Sequence, residues 1–212
     1  MPSRTHLPPE DPARQERVAA IRVVLEHPLF APFGGGVHFE LAEPAAGAGL
    51  ARVSGIGTVS LHPSRRAPRA EWVWAISHCL LHLGFEHHGL APMRDGGFDP
   101  AWRAACCVVV NRLLEQLKLG TPPDEARAIL PGGDEAALAR SYAEQGIPPA
   151  LSAIGAAGAE ADLLPPAMPT EGSWQARLAT GLSAAVAAAV DVAGGARAAL
   201  AGGGGRTTAW SR

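Results

Sequence analysis

The chain has 212 residues, 47% hydrophobic and 18% charged, with a formal net charge of −2. That length suits one domain of ordinary size or one with an appendage, and the near-neutral charge gives no electrostatic case for nucleic acid or an anionic membrane. Three cysteines, two of them adjacent (Cys106, Cys107), cannot all pair, and the first twenty residues lack the apolar run of a signal peptide, so a reducing, cytoplasmic setting is expected.

Residues 1–12 are polar and proline-rich and read as a disordered lead. From Pro12 to His27, apolar residues at Val18, Ile21, Val24 and Leu25 predict an amphipathic helix, stopped by Pro28. Val37–Ala42 alternates and predicts a strand. Pro44–Gly49 reads as a loop. Leu50–His62 predicts a strand pair turned at Gly55 and Gly57. Pro68 and Glu71 open a helix that runs to about Gly84 and is apolar on nearly every side, which predicts deep burial. Gly89–Asp99 reads as a loop and Pro100–Leu119 as a second strong helix, stopped at Gly120-Thr-Pro-Pro. Asp134–Glu144 is a short polar helix. Residues 146–172, rich in Ala, Pro and Gly, read as a linker. Trp174–Val192 predicts a last helix, broken by Gly194-Gly195. Asp191 and Arg197 interrupt the Ala-rich run from Thr180 to Ala201, so it is not read as a membrane span. The sum is an α+β chain with a domain over 13–145, the linker, and an Ala/Gly-rich helical tail over 173–212. The tail's abrupt end on Trp210-Ser211-Arg212 reads as cut short before a further domain.

Chemistry concentrates in Ser77–His88, which carries four of the eight histidines. His78 and His82 are four apart, so a helix places them on one face one turn apart, as in the zinc-binding pattern H-E-x-x-H. The position of that pattern's general base holds Cys79. Zinc takes imidazole and thiolate ligands, and a catalytic site uses three of them beside an open position. An exit from the helix at Gly84 would let Glu86, His87 or His88 fold back as the third. H-x3-H also arises by chance on helices, and core histidines with hydrogen-bond partners are common.

The stretch from Trp74 to His88 resembles the active helix of a bacterial metallopeptidase domain that precedes a von Willebrand A-type domain and is encoded beside MoxR-type ATPases. The family pattern, roughly A-H-E-x-L-H-x-x-L-x-H, is matched at His78, Leu81, His82 and His87. A second block, W-N-x-A-x-D-Y-x-x-N, aligns with Trp102 to Asn111 without gaps. The upstream Pro32-Phe33 turn and strand pair also fit, and the likeness covers roughly residues 14–145. It implies a zincin-like fold, with a small twisted sheet packed on the metal-bearing helix, and zinc on His78 and His82 with His87 or Cys107 third. The chain departs from the pattern at Cys79 for the catalytic Glu, at Cys107 for an acidic residue, and at Arg103 for an Asn. Cys79 lies about 100° around the helix from His78, away from the same metal, whereas Cys107 on another helix can reach it. Each cysteine also suits a small core position.

The expectation is therefore a metallopeptidase-like domain that binds zinc, is catalytically impaired, and recognises a peptide or protein partner, such as the ATPase system of the resembled family. The alternatives are a working hydrolase using Glu86 or Glu71 as base, and a metal-free structural domain.

Overall fold

The computed structural model describes residues 11–42, 49–89, 93–94, 97–124, 130–151, 162–164 and 173–202. The expected lead before Asp11, the loop over 44–48, most of the expected linker and the terminal Trp210-Ser211-Arg212 lie outside them. Helix α1 (Pro12–Glu26) starts on Asp11, whose side chain accepts from the Ala13 N–H, with Pro12 in the first turn. Strands β1 (His38–Leu41), β2 (Ala51–Ser54) and β3 (Thr58–Leu61) follow, then helix α2 (Arg69–Gly84). The expected loop after α2 contains a short antiparallel hairpin, β4 (Met93–Arg94) with β5 (Gly97–Phe98), which the sequence reading missed. Strands of two residues are too short to show alternation.

Helix α3 (Pro100–Leu117) is capped by Asp99 and ends with Lys118 in the left-handed conformation. Helix α4 (Glu135–Gln145) is capped by Asp134. Strand β6 (Leu163–Leu164) lies inside the segment read as a linker. Helix α5 (Trp174–Gly202) runs through Gly194-Gly195, where a break was expected. Each glycine costs about 1 kcal/mol in a helix, and the surrounding alanines, the strongest helix formers, offset it. Among the described residues no helix is long and apolar enough to cross a membrane.

The fold is a mixed α+β arrangement. The four-stranded sheet has the order β1-β3-β2-β6, with β1 parallel to β3, β2 antiparallel to β3, and β6 parallel to β2. The main core joins α1, the sheet and α2, and includes Val24, Phe33, Val53, Trp72, Trp74 and Leu80. From Trp72 to Gly84 every residue of α2 is buried, as its all-round apolar sequence demands. A second cluster packs α3 on α4 through Ala105, Val108, Leu138 and Tyr142.

Helix α5 closes one side, and two glycines let it do so. A Cβ on Gly84 would meet the Leu178 side chain at 2.9 Å, and a Cβ on Gly181 would meet the Leu29 carbonyl oxygen at 1.9 Å. Gly84 thus serves close helix approach. The left-handed residue that turns the chain after α2 is Glu86, with φ of 56°. Gly181→Ala is expected to push α5 off the body and to cost about 1–3 kcal/mol, the usual toll of overpacking. Gly132→Ala, with nothing within 4 Å of the added carbon, is the control. Equal urea midpoints for the two variants would contradict this packing.

Candidate metal centre

Helical periodicity brings the first two donors together. His78 and His82 stack along one face of α2, and both are wholly buried. Their Nε2 atoms face each other at 2.8 Å. Cys107 arrives from α3, and Asp162 from the residue that leads into β6. Asp162 Oδ2 lies 3.0 Å from His78 Nε2 and 3.6 Å from His82 Nε2. The Cys107 thiol donates to the same oxygen at 3.1 Å and sits 3.8 Å from His82 Nε2. The four donor atoms all lie within 4.8 Å of one another, and all four residues are buried.

His78 and Asp162 are held from behind. Asn111, one turn after Cys107 on α3, places Oδ1 2.8 Å from His78 Nδ1. His78 thus meets Asn111 through Nδ1 and turns Nε2 inward, 3.0 Å from Asp162 Oδ2. Trp74 stacks on the His78 ring with centroids 5.1 Å apart. Asp162 is fixed by its backbone, because the Val53 N–H donates to its carbonyl at 2.7 Å. Its other carboxylate oxygen accepts from the Leu163 N–H at 2.9 Å. Val53 is pinned on its other side by His88, whose Nε2–H donates to the Val53 carbonyl at 3.1 Å.

The histidines after α2 therefore divide. His88 ties the turn to the sheet. His87 folds back as the sequence suggested, but to the far edge of His82, with the two Nδ1 atoms 2.8 Å apart. It is not among the four converging donors, and Cys107 is. Glu86 is half-buried beyond the helix end, and Glu71 lies in the first turn of α2, seven residues before His78. That is roughly 10 Å along the axis. Cys79 is buried in the main core and stands outside the donor group.

Asp162 and the role of Asn111 escaped the sequence reading. Asp162 lies in an Ala/Gly/Pro-rich run, and its one signal is the triplet Asp-Leu-Leu, a charge followed by two apolar residues. Asn111 fell within the matched second block, but nothing in its spacing disclosed a contact with His78.

Burial and pairing set the charges. Burial is the largest influence on His82 and holds its imidazole well below the usual histidine range, despite the adjacent Asp162. Burial likewise lowers His87 and His88. Burial opposes the charge on Asp162, but contacts with His78 and His82 outweigh it and hold the carboxyl well below its ordinary range. Burial first, and then the Asp162 charge, push the Cys107 thiol well up. The metal-free centre thus holds an anionic carboxylate, a neutral His82 and a protonated thiol. A metal entering it must displace the thiol proton.

No family model matches the chain, and no curated protein or solved structure shows significant similarity to it. The donor set itself therefore defines the class of site: a buried His/His/Cys/Asp group able to hold a metal ion.

The lowered histidines fix a pH dependence for the metal-stripped protein. The unfolded chain protonates histidine near pH 6.5, while the folded chain keeps His82, His87 and His88 neutral to lower pH. The unfolded state then binds more protons, so stability falls as pH drops below about 6.5. The depressed Asp162 adds stability above about pH 3.9 that is lost at lower pH. Chelator-treated protein should show a lower urea midpoint at pH 5.5 than at pH 7.5. Equal midpoints would contradict the buried neutral histidines.

Proposed function

We propose that the chain is a zincin-like, metallopeptidase-family domain that holds zinc through His78, His82, Cys107 and Asp162, has lost peptidase catalysis, and works as a binding module. The observation that carries this reading is the convergence of two imidazoles, a thiol and a carboxylate on one buried point. Mixed N, S and O donors in fourfold number suit zinc. With Zn–N near 2.0–2.1 Å and Zn–S near 2.3 Å, a tetrahedron spaces its donors roughly 3.3–3.7 Å apart. Five of the six spacings run from 2.8 to 3.8 Å, around that range, and all six lie within 4.8 Å. A helix bearing H-x3-H, packed on a small mixed sheet, supports the zincin-like assignment.

Two features argue against catalysis. A catalytic zinc site keeps one position open for water, whereas four protein donors close it. Asp162 fills the position that water would need. A peptidase also needs a carboxylate to take the water's proton. Among the described residues, Asp162 is the carboxylate in contact with His78 and His82, and it is a donor itself. Cys79 stands at the base position with a thiol raised well above its ordinary range, by burial first and by Asp162 next. Zinc bound in this way contributes to the fold by tying α2, α3 and β6 together. The binding role and the ATPase-system partner rest on the resemblance of the two helical blocks.

Protein purified without a histidine tag or added zinc should carry about one zinc per chain by elemental analysis. His78→Ala and Cys107→Ser should each lose it and lower the melting temperature. The stabilisation at stake is about 3–4 kcal/mol when free metal is 100–1,000 times the dissociation constant. Metal-free native protein, or stoichiometric zinc in His78→Ala, would overturn the site.

Restoring the motif's spelling should not restore the enzyme. Cys79→Glu places a second carboxylate in the core near Asp162, where an unpaired buried charge is costly. It should lower the urea midpoint and leave casein hydrolysis at background. Chelator-sensitive hydrolysis gained by this variant would show that the cleft admits a catalytic water after all.

A further inference from the structure

His87 was a candidate ligand in the sequence, yet it faces the edge of His82 away from the donors. It also reaches outward. Its Nε2 lies 3.3 Å from Oε1 of Glu135, the first residue of α4, whose side chain is 26% exposed. The line Glu135–His87–His82 therefore runs from the protein surface to the buried centre through two ring contacts.

Hydrogen-bond bookkeeping along this line has one solution. A carboxylate only accepts, so His87 must present Nε2–H to Glu135. Neutral His87 then has a bare Nδ1. That bare nitrogen sits 2.8 Å from His82 Nδ1 and can only accept, so His82 must carry its proton on Nδ1. His82 Nε2 is thereby left bare, facing His78 Nε2 at 2.8 Å. The opposite pattern, with His87 donating from Nδ1, would turn a bare Nε2 toward an anionic oxygen. The pairing is felt at the other end too, since the hydrogen bond from His87 is the main influence holding the Glu135 carboxyl below its ordinary range.

We propose that Glu135 and His87 are positioning residues that select the Nδ1–H tautomer of His82, so that a carboxylate on α4 dictates the lone pair offered to a metal on α2. This rests on the metal-site reading above. Outer partners of metal-bound histidines are worth about 10–100-fold in affinity, which sets the size of effect expected here.

The test uses the full chain and three proteins: the native form, Glu135→Ala and Glu135→Gln. Zinc affinity is measured by competition with a chromophoric chelator. The His82 tautomer is read in zinc-free protein from the imidazole nitrogen shifts in long-range proton–nitrogen spectra. Native protein should show the Nδ1–H form of His82. Glu135→Ala should lose 10–100-fold in zinc affinity and shift His82 toward the Nε2–H form. Glu135→Gln keeps an oxygen acceptor and should recover to within about threefold of native affinity. An unchanged tautomer in Glu135→Ala overturns the proposal whatever happens to affinity, because an affinity loss alone would mean only structural support. A shifted tautomer with unchanged affinity overturns it equally. If native protein binds no zinc while His78→Ala leaves the spectra of His82 and His87 intact, the metal reading fails. The tautomer comparison still decides the role of Glu135 in that case.

Discussion

His78 Nε2 and His82 Nε2 face each other across 2.8 Å in a helix with no solvent-facing side over its last three turns. Two imidazole nitrogens at that distance need a proton or a metal ion between them, and water cannot reach in to separate them. The rest of the centre answers this constraint. Asp162 brings a negative charge to the same point. Cys107 brings a thiol that donates to that charge without a metal and can become a ligand with one. Asn111 and His87 turn the two rings so that both point inward. Removing one partner of such a group would leave the others buried and unpaired, which costs more than the lost contact itself.

The same constraint explains how the surrounding elements are arranged. Val53 of β2 is held on both its polar groups, donating to Asp162 and accepting from His88. One strand residue thus anchors both the incoming carboxylate and the outgoing turn of α2. Helix α3 serves two faces. Its Cys107 and Asn111 look toward α2, while Ala105 and Val108 join the cluster with α4. Helix α4 lies behind α3, yet its first residue still touches the line of histidines.

Most of the α+β frame was legible, because it rests on strong local signals. The all-round apolar helix from Arg69 to Gly84, the strand pair around Gly55–Gly57 and the Asp99-Pro100 start of α3 all declare themselves in sequence. His78 and His82 were legible because a four-residue step on a helix has one geometric meaning. Which of His87 and Cys107 completes the set was not. That depends on how far the chain turns after Gly84, and the turn is made by Glu86 with φ of 56°, a residue type that does not signal a left-handed conformation. Asp162 was illegible for a different reason. It is 84 residues from His78, its strand is two residues long, and it sits in a run rich in Ala, Gly and Pro. No local pattern reports a partner so distant.

That distance has a consequence for the order in which the centre comes into being. His78, His82 and Cys107 lie within one stretch of chain, and the helices carrying them can meet as soon as both are made. Asp162 follows Cys107 by 55 residues, and its strand must find β2 more than a hundred positions upstream. Such pairings close large loops and form late. A chain growing from its N-terminus therefore makes both imidazoles and the thiol well before the fourth donor. A metal that enters before Asp162 arrives has only the thiol proton to displace. The arrival of β6 would then work as a latch, sealing in any ion captured early beneath the last strand of the sheet to be synthesised.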